Sequence, residues 1–166
     1  MKKIRWGVLS TANIGLEKVI PAMQQGEYCE MAAIASQSLE KGQAAAAQLG
    51  IPKAYGSYDE LLVDAEIDAV YIPLPNHLHV PWTKKALAAG KHVLCEKPIA
   101  LQTAEAEDML ATAQNYPELK VMEAFMYRCH PQMQQLASLI QQGAIGAVRL
   151  VRASFGYHAD FDPHIR

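Results

Sequence analysis

The sequence is poor in cysteine and carries no strong charge of either sign. Its 166 residues include three cysteines, Cys29, Cys95 and Cys129, which are widely spaced and form no C-x-x-C pair. An odd and dispersed set indicates reduced thiols and argues against a disulfide framework or a zinc site. The net charge of -2 gives no support to a role on nucleic acid or on a membrane surface.

Long hydrophobic runs are also missing. No stretch approaches the roughly 20 apolar residues that a membrane helix needs. The first apolar run breaks at Ser10, which is too early for a signal peptide. Because half of the residues are hydrophobic (51%) and 19% are charged, we expect a soluble, cytoplasmic globular protein.

Glycine is scarce at the one loop where a nucleotide-binding protein would use it. The stretch GVLSTANIG at 7–15 follows an apolar run, as a phosphate-binding turn does. Ser10 and Ala12 replace the first two glycines of G-x-G-x-x-G, and only Gly15 remains. Ala12 is nearly as small as glycine, and a serine hydroxyl can add a donor. Taken alone, this loop leaves open a dinucleotide site or a plain turn in which Asn13 caps the next helix.

Apolar runs alternate with helix-period segments along most of the chain. The pattern predicts strands at 4–9, 31–35, 68–72, 92–95 and 119–126, with helices at 13–26, 39–49, 57–63 and 76–89 and from residue 103. Pro21 falls inside the first helix and is expected to bend it or remove a hydrogen bond. This alternation predicts an α/β fold of the Rossmann type, a doubly wound parallel sheet.

Polar segments follow the predicted strands, at 10–13, 36–38, 73–79, 96–98 and 126–128. Ligands of such sheets bind beyond the carboxyl ends of the strands. We therefore expect these segments to share one rim of the sheet.

The segment Ser36-Gln37-Ser38 bears on the choice of dinucleotide. An acidic residue at the end of the second strand would hold the ribose hydroxyls of NAD and repel a 2′-phosphate. Three neutral donors tolerate that phosphate better, so the segment favours NADP over NAD. Ser38 also has the position of a cap for the following helix, and both roles can coexist.

Two histidines, His77 and His79, suggest a metal site that the spacing does not support. Residues two apart on a helix do not face each other, and no third ligand stands at a suitable distance along the chain. We therefore predict no metal. Asn76 is better explained as a helix cap that also donates to a cofactor or substrate.

The segment Glu96-Lys97-Pro98 is the sharpest local feature. A lysine directly after a buried strand can bond a ribose hydroxyl and position a substrate hydroxyl, and partial burial would suit it to proton transfer. The alternative is a solvated Glu-Lys pair with Pro98 ending the strand.

The regular alternation of apolar runs and helix-period segments ends near residue 127. Segment 131–142 predicts a helix and 147–156 a strand, and one strand cannot make a domain. We therefore expect a dinucleotide-binding domain at 1–126 and the beginning of an incomplete second α/β domain at 127–166.

Three segments together resemble the glucose–fructose oxidoreductase / inositol dehydrogenase / MocA family of NAD(P)-dependent oxidoreductases. They are WGVLSTANIG at 6–15, YIPLPNHLHVPWTKKALAAGKHVLCEKPIA at 71–100 and MEAFMYRCHPQ at 122–132. The resemblance is closest to the dihydrodiol and aldose dehydrogenase branch. It implies hydride transfer between NAD(P) and a carbinol carbon of a sugar, polyol or cyclic diol.

The resemblance also implies roles for individual residues. Lys97 would assist catalysis. NADP-using members of the branch have Ser-Arg after the second strand, and the departure at Gln37 puts the cofactor preference in question. The cofactor would be contacted by Ser10, Thr11, Ala12, Asn13, Ile14, Ser36, Gln37, Ser38, Pro73, Leu74, Asn76, His79, Glu96, Lys97 and Arg128.

The rest of the family's machinery is expected beyond Arg166. The general acid/base of the family lies in the second domain, and Tyr157 and His158 fall too early for it. Family members also suggest a homo-oligomer for a longer protein. Two alternatives stay open: a non-catalytic dinucleotide- or sugar-sensing module on the same fold, and a structural interaction domain with a vacant cleft.

Overall fold

A computed structural model describes residues 2–156 of the chain. The chain divides into two compact units, the first ending at Phe125 and the second beginning at Met126. No helix among the described residues is long and apolar enough to cross a membrane.

The first unit is built on a six-stranded sheet in the order β3-β2-β1-β4-β5-β6. All neighbouring strands pair in parallel. The strands are β1 (Ile4–Leu9), β2 (Cys29–Ala35), β3 (Lys53–Tyr55), β4 (Ala69–Ile72), β5 (His92–Cys95) and β6 (Val121–Glu123). This order is that of the doubly wound fold, with its switch point between β1 and β4. The predicted fold class is confirmed.

Helices connect consecutive strands. They are α1 (Ile20–Gln24), α2 (Leu39–Leu49), α3 (Tyr58–Leu62), α4 (His79–Ala88) and α5 (Thr103–Gln114). A short 3-10 turn, Asn76–Leu78, leads into α4, and a π-helical stretch, Gly15–Val19, leads into α1.

The irregularity that Pro21 predicts in the first helix is present. The N–H of Ile20 bonds to the carbonyl oxygen of Gly15, five residues back, which makes the turn before Pro21 wider than an α-helical turn. A proline ring collides with the carbonyl four residues before it and donates no hydrogen bond. The wide turn accommodates that ring without ending the helix.

The core lies on both faces of the sheet, because adjacent strand residues point to opposite sides. Leu9, Val70 and Ile72 belong to one apolar cluster, which includes residues of α3 and α4. Val8 and Tyr71 belong to the other, which includes residues of α1 and α2. A parallel sheet covered in this way has near-continuous apolar strands, which explains why the runs were readable in the sequence.

Polar contacts, partly and fully buried, tie the amino-terminal edge of the sheet together. The Arg5 guanidinium forms an ion pair with Asp68, with Nη2 3.0 Å from Oδ1. Lys91 is 6% exposed, and its Nζ donates to the carbonyl oxygens of Asp64 (2.7 Å) and Ile67 (2.8 Å). These contacts fix the turn that leads into β4.

Two predicted strands differ from the structure. β6 spans only Val121–Glu123, because Phe125 bonds back to Glu123 and a 3-10 turn, Met126–Cys129, follows. The predicted strand at 147–156 is wrong, since the chain there is neither strand nor helix. A strand needs a hydrogen-bonded neighbour, and within residues 126–156 the structure has no other strand. The predicted helix at 131–142 is confirmed as α6 (Pro131–Gln141).

Candidate cofactor site

Polar loops meet at the carboxyl edge of the sheet, as the sequence predicts. Backbone hydrogen bonds join neighbouring loops and strand ends: Ser10 N donates to Ala35 O at 3.0 Å, and Glu96 N donates to Ile72 O at 3.1 Å. The first of these bonds links the ends of β1 and β2, and the second links β5 to β4. β1 and β4 pair directly at the switch point, so the loops on both sides of it lie along one edge of the sheet.

The first loop has the backbone of a glycine turn without the glycine. Ser10 has φ 136°, the one positive φ of a non-glycine residue in the described part of the chain. Such a conformation costs about 1–3 kcal/mol and persists where the surroundings impose it. The Ser10 Oγ accepts a hydrogen bond from the N–H of Ala12 at 2.9 Å, which helps to hold the turn.

The helix after this loop begins at Asn13 itself, so Asn13 does not cap it. The prediction that Asn13 is the cap is wrong, because Asn13 already lies within the helix and the side-chain bond of the preceding turn comes from Ser10. Residues 10–12 are half-buried, whereas Asn13 and Ile14 are exposed. The first N–H groups of a helix have no intrahelical partner, so they stand ready for an anion.

The packing around Gly15, the one glycine that remains of the fingerprint, is not tight enough to exclude a side chain. A Cβ there would lie 3.6 Å from Pro73 Cγ and 3.6 Å from Tyr71 Cε1, which is normal van der Waals contact. The loop after β4 thus touches the helix that follows β1, but this contact does not itself require glycine.

At the end of β2, both serine hydroxyls hold backbone groups. Ser36 Oγ accepts from Ser38 N at 3.3 Å, and Ser38 Oγ accepts from Lys41 N at 3.4 Å, which confirms Ser38 as the cap of α2. Each hydroxyl keeps its own proton for a ligand. Gln37 lies between the two serines, and its uncharged side chain is exposed.

The loop after β4 contains a buried Pro73 and Leu74 and a half-buried Asn76. Asn76 opens the 3-10 turn, whose cap position is taken by Pro75 without any side-chain bond. The prediction that Asn76 caps the helix is therefore wrong, because the proline carbonyl closes the turn by accepting from Leu78 N at 2.8 Å. The half-buried amide of Asn76 remains near the rim.

His79, which the resemblance places among the cofactor contacts, lies in the interior of the structure. Its ring is fully buried, with Nδ1 2.6 Å from Pro98 O and Nε2 2.7 Å from Leu74 O. The imidazole thus joins the loop after β4 to the loop after β5, and it lies beneath the rim rather than on it. Both ring nitrogens are engaged by carbonyls, so neither is available to a metal.

The loop after β5 carries a carboxylate held by a buried tyrosine. Tyr71 is fully buried, and its hydroxyl donates to Glu96 Oε1 at 2.8 Å. Burial and then this hydrogen bond raise the pKa of Tyr71, so the phenol stays protonated. The backbone N–H of Lys97 donates to the other oxygen of Glu96 at 3.3 Å.

Lys97 is exposed, so it lacks the partial burial that would suit it to proton transfer. β5 ends at Cys95, so Lys97 already lies in the loop beyond the sheet. Its side chain is consequently accessible to a ligand at the rim.

The remaining predicted contact, Arg128, lies in the second unit, in the exposed turn Met126–Cys129. Its place in a cofactor site stays a prediction. Tyr157 and His158 lie outside the described residues.

Comparison with known proteins identifies this architecture. A model of the Gfo/Idh/MocA proteins, described as an oxidoreductase family with an NAD-binding Rossmann fold, matches residues 4–125. The chain belongs to this family. It is 48% identical over 155 residues to a D-xylose 1-dehydrogenase (NADP(+)) of Haloferax volcanii, covering 92% of this chain and 46% of that protein. It is 36% identical over 162 residues to trans-1,2-dihydrobenzene-1,2-diol dehydrogenase of Mus musculus, covering 96% and 48%.

Solved structures of the family agree with the fold. A 3-ketoreductase of Actinomadura kijaniata in complex with TDP-benzene and NADP superposes with a TM-score of 0.78 at 38% identity, covering 87% of this chain and 45% of that one. A scyllo-inositol dehydrogenase of Lactobacillus casei with NAD(H) and scyllo-inositol gives 0.78 at 28% identity, covering 87% and 43%. The chain therefore spans slightly less than half the length of these family members.

A nicotinamide dinucleotide fits the residues of this rim. The glycine-like turn at Ser10 precedes a helix N-terminus, as pyrophosphate binding requires. The end of β2 bears no acidic side chain within 36–38, so either ribose form is tolerated. The exposed Lys97 and half-buried Asn76 provide donors on the other side of the switch point.

Sequence reasoning missed one residue of this rim and one close contact of the core. Tyr71 lies in a strand predicted from its apolar residues, but a buried tyrosine needs a partner for its hydroxyl, and that need was the available signal. Gly7 lies within the predicted strand 4–9, but nothing in that prediction shows that a Cβ there would lie 2.6 Å from Leu61 Cδ2. The contact joins residues 54 positions apart, and no local pattern reports it.

Proposed function

We propose that this chain is the dinucleotide-binding part of an oxidoreductase that transfers a hydride between NAD(P) and a carbinol carbon of a sugar, polyol or cyclic diol. One observation carries the proposal: a strained Ser10 turn before a helix N-terminus faces the switch point of a doubly wound sheet, on the same rim as Lys97. The relatives named as xylose and dihydrodiol dehydrogenases support the substrate class.

The bound cofactor would supply the hydride acceptor or donor at nicotinamide C4. In the oxidative direction the carbinol carbon loses a hydride and the hydroxyl loses its proton, leaving a carbonyl. Lys97 would bond the substrate hydroxyl through Nζ, orient it and share its proton. The principal acid/base would belong to a second domain that begins near residue 127 and continues beyond Arg166.

NADP is the proposed cofactor, with NAD the alternative. The uncharged segment at the end of β2 supports this choice, since it sets no carboxylate against a 2′-phosphate. Gln37→Asp is expected to shift preference towards NAD and Gln37→Arg towards NADP, by roughly tenfold each for about 1.4 kcal/mol of charge interaction. Equal affinity of both variants for both cofactors would remove Gln37 from the site.

The direct test is a fluorescence titration of the chain with NADPH and NADH, followed by absorbance assays with aldoses. We expect weak binding and little turnover from the 166 residues alone. Lys97→Met in a longer protein is expected to reduce turnover strongly, and Lys84→Met, a lysine of α4 paired with Asp108, serves as the matched control.

Three outcomes would contradict the proposal. Absence of binding by either dinucleotide would favour a structural domain with a vacant cleft. Rapid turnover by the 166 residues alone would show that no second domain is needed. Unchanged turnover in Lys97→Met would show that the catalytic role of Lys97 is wrong, and dinucleotide binding without turnover in the longer protein would favour a sensing module.

A further inference from the structure

We propose that Tyr71 is a positioning residue, which fixes the carboxylate of Glu96 to receive the nicotinamide half of the dinucleotide. The inference rests on the proposed function, because it presumes that a nicotinamide dinucleotide occupies the rim. It assigns a role to a residue of the sheet interior, one layer below the loops that bind.

The first support is the burial of Tyr71 beside a charged partner. The residue lies in β4 among apolar side chains of the core and is fully buried. Its hydroxyl has one hydrogen-bond partner in the described structure, Glu96 Oε1 at 2.8 Å. A hydrogen bond to a carboxylate is shorter and stronger than one between neutral groups, so this bond orients the carboxylate as well as satisfying the phenol.

The second support is that Glu96 is held at both oxygens. Oε1 accepts from Tyr71, and Oε2 accepts from the N–H of Lys97 at 3.3 Å. A carboxylate has about four acceptor sites, so two such bonds fix its plane and leave acceptor capacity unused. Glu96 is half-buried at the rim, where the unused capacity suits a ligand that donates an amide N–H or a hydroxyl.

The topology indicates which half of the cofactor supplies those donors. A doubly wound sheet binds one mononucleotide over each half, with the pyrophosphate at the first loop and the adenosine ribose at the end of the second strand. Glu96 follows β5, which lies beyond the switch point from β2. The carboxamide and ribose of the nicotinamide half carry the required N–H and O–H groups.

Tyr71 also has a packing role, which the test must separate from its hydroxyl. The ring edge lies 3.6 Å from the position of a Cβ at Gly15, under the first helix. Tyr71→Phe keeps the ring and removes only the hydroxyl, so it leaves this contact in place. A purely structural effect would disturb both halves of the site, whereas the proposed effect is confined to one.

The experiment compares ligands with and without the nicotinamide half, that is, its ring and its ribose together. NADP+ and adenosine 2′,5′-bisphosphate are titrated by calorimetry against the unmodified chain and Tyr71→Phe, with NAD+ and 5′-AMP as the second pair. Tyr71→Phe is expected to weaken dinucleotide binding about 3- to 10-fold, the loss of one hydrogen bond, and to leave the adenosine ligand within 2-fold. Tyr55→Phe, which removes a 2.7 Å hydroxyl bond to Asp64, is the matched control and is expected to change neither.

Glu96→Gln gives a second readout that does not depend on the core. It too is expected to weaken the dinucleotide selectively, and the double variant Tyr71→Phe/Glu96→Gln is expected to bind no worse than Glu96→Gln alone. If Tyr71→Phe fails to fold in a thermal melt, the ligand pair with Glu96→Gln still decides the matter, since equal loss for both ligands would overturn the proposal.

The outcomes separate this inference from the proposed function. Failure of the unmodified chain to bind either dinucleotide would overturn both. Dinucleotide binding that Tyr71→Phe leaves unchanged, or that falls equally for both ligands of a pair, would overturn the positioning role and leave the proposed function standing. Additive losses in the double variant would show that Tyr71 does not act through Glu96.

Discussion

Gly7→Ala is expected to destabilise the first unit by overpacking. The new Cβ would lie 2.6 Å from Leu61 Cδ2 and 3.2 Å from both Cδ1 and Cγ of the same leucine. Carbon atoms pack best at about 3.5–4.0 Å, so Leu61 would have to withdraw by about 1 Å. Leu61 is fully buried in the core cluster next to β1, so its movement has to be absorbed by the side chains packed around it. Extra methyl groups in such places typically cost about 1–3 kcal/mol, and we expect a loss in that range.

Urea unfolding followed by circular dichroism measures this loss, and a double-mutant cycle tests its cause. Leu61→Ala alone is expected to cost about 2–5 kcal/mol, but it also removes the atoms that Gly7→Ala would meet. In the Leu61→Ala background, Gly7→Ala should therefore be nearly neutral. An equal cost in both backgrounds would refute the steric reasoning. Gly15→Ala is the control: its Cβ meets no atom closer than 3.6 Å, so the unfolding free energy should not fall.

Two further predictions concern the amino-terminal edge. Lys91→Met is expected to reduce the unfolding free energy by about 1–3 kcal/mol, because it leaves two buried carbonyls without their donor, and no loss in urea unfolding would contradict this. Acid should also destabilise the fold. The Arg5 hydrogen bonds lower the pKa of Asp68 from 3.8 to about 2. Burial raises the pKa of Asp64, but hydrogen bonds from Lys53, a backbone N–H and a tyrosine outweigh this effect and lower that pKa to about 2 as well. Because both folded-state pKa values lie below the unfolded one, their stabilisation is complete above about pH 4 and lost as pH falls towards 2. Thermal melts should show this decline, and Asp68→Asn should make it shallower; equal slopes would count against the ion pair.

Strong local signals made most of the fold readable from the sequence. β1 and β5 were predicted to the residue, as was α2 with its Ser38 cap. The apolar runs and the capping residue that define these elements each lie within a few positions of the chain. β3 was not located, since three half-buried residues leave no periodic trace. The strand predicted at 147–156 failed for the opposite reason, because an apolar run is a strand only if another strand pairs with it.

The site divides in the same way. The rim loops could be placed from the sequence, because a parallel sheet brings every strand's carboxyl end to one edge. The orientation of individual side chains could not. His79 looked like a rim residue and is a buried link between two loops, while Tyr71 looked like core and reaches the rim.

By itself, then, the sequence determined the alternation of strands and helices, the doubly wound fold and the segments that border the cleft. These follow from hydrophobic periodicity and turn chemistry, which act over a few residues. Only the tertiary structure decided that Ser10 adopts a glycine conformation, that Gly7 makes room for Leu61 and that Tyr71 holds Glu96. Each of these depends on contact between residues far apart in the chain, and such contacts exist only once the sheet has formed and the helices have packed on it.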